Sequence, residues 1–150
     1  MVDDIDEGQQ QRAAALARDL RAFVSKLKRR LRDQADVGDL TPSQTSALLR
    51  LEADGQATTS GLARAEGMRP QSMAPIVAAL ESAGLIAGAP DPADGRRTLF
   101  SLTDACRRMI AEGRAARNDW LARTLNARLS ARERDEVAKA VGLLMRLVDD

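Results

Sequence analysis

The chain has no histidine and a single cysteine, Cys106, among its 150 residues. The missing histidine removes the commonest general base, the commonest metal ligand and the side chain that titrates near neutral pH. A zinc site would need one thiolate plus carboxylates, an uncommon set. No metal, cofactor or enzymatic nucleophile-and-base pair is therefore expected. One cysteine cannot close an internal disulfide. Aromatics are scarce too, with two Phe, one Trp and no Tyr, so closely packed thin helices are favoured over a thick aromatic sandwich. No run approaches the roughly 18 apolar residues of a membrane span. The acidic start is unlike the basic start of a secretory leader. A soluble, cytoplasmic protein with no membrane partner is expected. Excess charge is also lacking: 30% of residues are charged, yet the net charge is +1. Any affinity for a polyanion has to come from local clusters.

What is present is helical periodicity. Residues 1–8 are acidic, contain Gly8 and are expected to be a disordered tail. From about Gln9 to Gln34, Leu16, Leu20, Phe23, Val24, Leu27 and Leu31 recur at helical spacing on one stripe. A linker over Asp36 to Leu40 precedes Thr41-Pro42-Ser43-Gln44, which carries a cap, a first-position proline and a capping-box glutamine. That second helix runs to about Ala53. A short third helix spans roughly Ser60 to Glu66, capped by Thr58 or Thr59 and stopped by Gly67. A fourth starts near Pro70 and ends before Gly84, turning Ile76, Val77 and Leu80 inward. Leu85 to Ala89 and Thr98 to Leu102 flank a loop containing Asp94-Gly95 and predict a β-hairpin. Thr103 caps a long fifth helix to about Leu129. Ser130-Ala131-Arg132-Glu133 opens a sixth, with Val137, Val141, Leu144 and Val148 on one stripe.

The third and fourth helices, joined by Glu66-Gly67-Met68-Arg69, fit a helix-turn-helix. Such motifs lay the start of the second helix in the major groove. There Arg69, Gln71 and Ser72 can meet base edges, while Met73 and Ala74 can touch a thymine methyl. A polar helix start is also ordinary for a solvated surface, and the hairpin that follows shifts the balance toward the first reading. Its tip, Asp94-Gly95-Arg96-Arg97, offers Arg96 to a minor groove and Arg97 to phosphate, with Asp94 orienting one of them. Pro75 removes a backbone donor one turn into the fourth helix and is expected to bend it or shorten its first turn.

With these phrases in place, residues 41–103 resemble the winged helix-turn-helix of the MarR family, the multiple-antibiotic-resistance regulators. The likeness is carried by Leu62-Ala63, by Leu80-Glu81-Ser82-Ala83-Gly84-Leu85-Ile86, by Asp91-Pro92-Ala93-Asp94-Gly95-Arg96-Arg97 and by Leu102-Thr103. It implies a mainly α fold with a small hairpin. A winged DNA-binding lobe would span 41–102, and a helical dimerisation lobe would be built from 9–35 and 103–150. It further implies a homodimer on a pseudo-palindromic operator of double-stranded DNA. A small anionic aromatic effector, held between the lobes, would change the spacing of the two recognition helices. Leu16, Leu20, Val141, Leu144 and Val148 are the expected dimerisation residues, since long terminal helices with sparse stripes need a second copy to cover them.

Three features admit a second reading. Cys106, in the first turn of the fifth helix, is a structural thiol or one whose pKa the helix dipole lowers. Trp120 packs in the dimer lobe or lines a ligand pocket. Lys26, Lys28, Arg29, Arg30 and Arg32 are a solvated helix end or an anion contact. The rival to a ligand-responsive repressor is a helical protein-interaction module of the same fold without DNA affinity.

Overall fold

A computed structural model describes residues 2–35 and 38–149. Met1 of the expected tail, Asp36 and Val37 of the expected linker, and Asp150 lie outside the described residues. In order the elements are α1 (Val2–Arg32), α2 (Pro42–Asp54), α3 (Thr59–Ala65), α4 (Pro70–Ser82), β1 (Ile86–Pro90), β2 (Thr98–Leu102), α5 (Asp104–Arg128) and α6 (Ala131–Met145). This is the mainly helical winged helix-turn-helix with one antiparallel hairpin. The contacts divide it into two compact units, residues 37–113 and residues 1–36 with 114–150.

Within the 37–113 unit the helix ends follow local chemistry. Thr41 Oγ1 accepts from the Gln44 amide, and Gln44 Oε1 accepts from the Thr41 amide, a capping box that starts α2. Thr58 Oγ1 accepts from the Gly61 amide at 3.0 Å and starts α3. That helix ends in a reversed turn: the Met68 amide donates to Ala63 at 2.8 Å and the Gly67 amide to Arg64 at 3.3 Å. Gly67 sits at φ +64°, the left-handed conformation that only glycine adopts at little cost. The chain thus leaves α3 and enters α4 within four residues.

Ala47, Leu48, Leu51, Leu62, Ala63, Met73, Val77, Leu80, Ile86, Phe100, Leu102 and Cys106 form one buried cluster. β1 and β2 pair from Ile86↔Leu102 to Pro90↔Thr98. Only Ile86 of β1 is buried, against Phe100 and Leu102 of β2. Ala57 adds a one-residue bridge on the other side of Phe100. Thr103 closes the base of the wing: its hydroxyl donates to the Gly84 carbonyl at 2.7 Å and accepts from the Cys106 amide at 3.2 Å.

Four boundaries differ from those read in the sequence. α1 is helical from Val2, not from about Gln9, because a single interior glycine such as Gly8 costs only about 1 kcal/mol and does not stop a long helix. β1 starts at Ile86 rather than Leu85, whose amide instead caps α4 on Leu80. The winged unit extends past 102 to Gly113, since Cys106 is buried in its cluster with Met109 and Ile110 packed against it. α6 ends at Met145, so Val148 lies in the turn that follows, not on the helical stripe.

Among the described residues of the second unit, neither α1 nor α6 contributes a buried one. α6 begins with the expected capping box of Ser130 and Glu133. No helix is long and apolar enough to cross a membrane, among the described residues.

The turn at Gly67 yields a stability test. Gly67→Ala, forced to φ +64°, should lose about 1 kcal/mol, lowering the thermal midpoint by roughly 2–4 °C. Gly95→Ala, at negative φ with open space around its Cβ position, should leave the midpoint unchanged or slightly raised. Thermal unfolding followed by circular dichroism distinguishes the two.

Candidate nucleic-acid interface

α4 buries Met73, Val77 and Leu80, so its opposite face is fixed toward solvent. Arg69, at the N-cap position with extended backbone, Gln71, Ser72 and Ala74 are all exposed. They gather at the start of the helix as the sequence suggests. Met73 does not join them. It is fully buried, with 0% of its surface exposed, and is corrected from base contact to core. Lying four residues before Val77 and seven before Leu80, it continues their inward stripe, and its flexible thioether fills the space under the turn. Pro75 does not shorten α4, which is continuous over Pro70–Ser82. The ring is exposed, and its missing donor would have served the carbonyl of Gln71.

At the wing tip Asp94 acts twice. Its Oδ1 accepts from the Arg96 amide at 3.1 Å, and its Oδ2 lies 3.8 Å from Arg97 Nε. The Arg97 amide returns to the Asp94 carbonyl at 3.0 Å, and the Arg97 carbonyl accepts from the Asp91 amide at 2.9 Å. Asp91 Oδ1 in turn accepts from the Ala93 amide. The loop is held by its own side chains. Both arginines are exposed.

Two features were not legible beforehand. The Ala57–Phe100 bridge brings Thr58, Thr59 and Ser60 beside Arg97, Thr98 and Phe100, around an open cleft of about 260 Å³. Hydroxyls and a guanidinium on one rim suit anionic oxygens. A one-residue bridge leaves no periodic pattern to find it by. The second is a polar brace on the helix-turn-helix. Ser46 Oγ donates to Glu66 Oε2, and Arg50 Nε donates to Glu66 Oε1 at 3.2 Å while its other arm approaches Asp54 at 3.7 Å. Ser46 and Arg50 are four apart on one face of α2, and that spacing was the available signal. The hydroxyl of Ser46, and then the guanidinium of Arg50, hold the Glu66 carboxyl below the ordinary glutamate range against partial burial.

Cys106 is buried, and burial pushes its thiol pKa up. This is the structural reading, since a buried neutral thiol is a poor nucleophile. Among the described residues no cluster of His, Cys, Asp and Glu could hold a metal ion.

The expected dimerisation residues behave as a group. Leu16 is 67% exposed, Val141 50%, Leu144 37% and Val148 73%, and Leu20 is half-buried. Phe23, Val24, Leu143 and Leu147 are exposed as well. Trp120 is half-buried. The basic residues Lys26, Lys28, Arg29, Arg30 and Arg32 all face solvent.

Comparison with known proteins agrees with this architecture. The model of the MarR family matches residues 40–98. An uncharacterized HTH-type transcriptional regulator of Mycobacterium bovis is 39% identical over 137 residues, covering 91% of this chain and 95% of its own. A crystal structure from Pseudomonas aeruginosa, assigned as a transcriptional regulator, superposes with a TM-score of 0.80 at 38% identity, covering 93% of this chain and 97% of that one. A Staphylococcus aureus MepR variant bound to an oligodeoxyribonucleotide shares the fold at 21% identity, with a TM-score of 0.70 over 89% of this chain and 97% of its own.

The brace carries a pH signature. Because the folded carboxyl of Glu66 titrates below its unfolded value, its stabilisation is complete above the ordinary glutamate range and disappears as pH falls through the folded value. Glu66→Gln should cost about 1–2 kcal/mol at pH 7, and the gap to the parent should shrink in acid. Urea unfolding of both proteins at pH 7 and near pH 3.5 measures it; an equal gap at both pH values would sink the assignment.

Proposed function

The chain belongs to the MarR family, and from that premise we propose that it is a transcription regulator that binds double-stranded DNA sequence-selectively as a homodimer. The observation that carries this reading is the winged unit itself. An exposed start of α4, polar at Arg69, Gln71 and Ser72 and apolar at Ala74, stands on the same core as a wing loop that Asp94 holds through the Arg96 amide and the Arg97 guanidinium. Base edges are the partners that the first group suits, and a minor groove with its phosphates suits the second. Arg96 enters the groove. Arg97, beside Thr58, Thr59 and Ser60, takes a backbone phosphate.

The dimer is supported by the terminal helices. A helix of 31 residues that buries no described side chain in its own chain draws its stability from a partner surface. Leu16, Phe23 and Val24 on α1, Val141 and Leu144 on α6 and Val148 in the turn after it are exposed and supply apolar surface for a second copy. Two copies present two recognition helices to half-sites about one helical turn, roughly 34 Å, apart. In this reading the winged unit through Gly113, which contains 41–102, is the DNA-reading lobe; α1, the part of α5 beyond Gly113 and α6 are the dimer lobe, and the protein works in the cytoplasm. It acts as a repressor released by a small anionic aromatic effector, as its resemblance to the family implies.

Selection of duplexes from a random pool, followed by titration at two salt concentrations, tests the proposal. The parent should bind a pseudo-palindrome with a steep salt dependence. The Arg96→Ala, Arg97→Ala variant, which removes four arginines from the dimer, should bind at least tenfold more weakly and lose about two to four units of the log–log salt slope. No selected duplex, or only weak binding that is the same with and without both arginines and for every sequence, would favour the protein-interaction module. Light scattering at micromolar concentration should give twice the monomer mass; a monomer would overturn the dimer.

A further inference from the structure

The outward face of α4 has an unusual chemistry for a helix meant to meet DNA. Opposite buried Met73, Val77 and Leu80 stand Gln71, Ala74, Pro75 and Ala78, all exposed. They are three and four residues apart and so share one face. No charged residue occurs from Pro70 to Ala79. The bidentate arginine or lysine that recognises guanine is therefore absent from the helix body, and Arg69 alone stands at its entrance. Behind Gln71 the face consists of two methyl groups and a rigid ring of methylenes.

An exposed proline within a helix forfeits a hydrogen bond, and in water alone an apolar ring brings no compensating gain. A compensating gain exists if the face is covered by something apolar. In the major groove the apolar group that the base edges offer is the C5 methyl of thymine. Adenine, the base that a glutamine side chain matches bidentately, is paired with thymine. Gln71 and the apolar surface one turn behind it are thus suited to the same kind of base pair.

We propose that α4 reads an A·T core through thymine methyls. Gln71 pairs with an adenine, Ala74, Pro75 and Ala78 cover the methyl groups of neighbouring thymines, and Pro75 is the specificity-determining residue. This rests on the DNA-binding reading above and is continuous with its interface. It gives the proline a role that the fold does not require.

The test uses the full-length protein and a duplex recovered by selection, with each thymine of one half-site replaced in turn by deoxyuridine. That change deletes one methyl and leaves the pairing edge and the phosphates intact. One or two positions should weaken parent binding by about fourfold each, the factor for one buried methyl, with an unaltered salt slope. In Pro75→Ala, which regains the backbone donor and should unfold no earlier than the parent, the penalty at one of these positions should vanish. Deoxyuridine without effect on the parent, an undiminished penalty in Pro75→Ala, or selected half-sites lacking an A·T core would each overturn the inference while leaving DNA binding intact. Failure to select any duplex would overturn both.

Discussion

Burial of one face of α4 is the constraint on which the winged unit depends. Met73, Val77 and Leu80 meet Leu62 from α3, Ile86 and Phe100 from the wing, and Cys106 from the start of α5 in a single cluster. Turning α4 by one residue would carry Gln71 or Ser72 toward that cluster, and burying an unpaired amide or hydroxyl costs several times the thermal energy. The rotation of the helix is therefore set by its inner side. The identity of the residues offered to a partner follows from that, and not from any preference of their own.

Charge is distributed by a comparable logic. With a net charge of +1 the overall charge of the molecule contributes little attraction for a polyanion. What it has is selective neutralisation. Arg50 is engaged by Glu66 and Asp54, where it braces α2 against the end of α3. Arg97 is steadied by Asp94 but remains open to solvent. Arg96 has its backbone pinned by the same aspartate and no ion pair among the described residues. The loop is thus ordered before any partner arrives, which reduces the entropy lost on binding. A wing with the same arginines on a slack loop would carry the same charge and bind less well.

Much of this was legible because local chemistry and tertiary packing agree. The capping boxes at Thr41 and Ser130, the glycine stop at Gly67 and the hairpin around Asp94-Gly95 all specify their elements within four residues. The candidate site was legible where exposure follows from helical spacing, as for Gln71, Ser72 and Ala74. Met73 lies inside despite its place near the helix start, because it stands four residues before Val77 and seven before Leu80. The cleft beside Arg97 was invisible for a different reason. It depends on Ala57 pairing with Phe100, residues more than forty apart that no local pattern links. The start of α1 at Val2 is not legible from an acidic segment that contains Gly8, since a glycine stops a helix only where positive φ or a cap makes an alternative favourable.

The two compact units differ in what they complete alone. The winged unit closes its own core within one chain, so the exposed start of α4 and the wing are formed whether or not a second copy is present. The terminal helices close nothing: α6 has no buried residue, and Leu16, Val141 and Leu144 remain in water. In the proposed dimer the reading surface is therefore intrinsic, whereas the pairing of two surfaces is conditional on association. Linkage then requires that DNA with two correctly spaced half-sites favour the dimer by as much as the dimer favours that DNA. A small molecule acting on the helices could weaken binding through that coupling alone, leaving Gln71, Pro75 and Arg96 untouched.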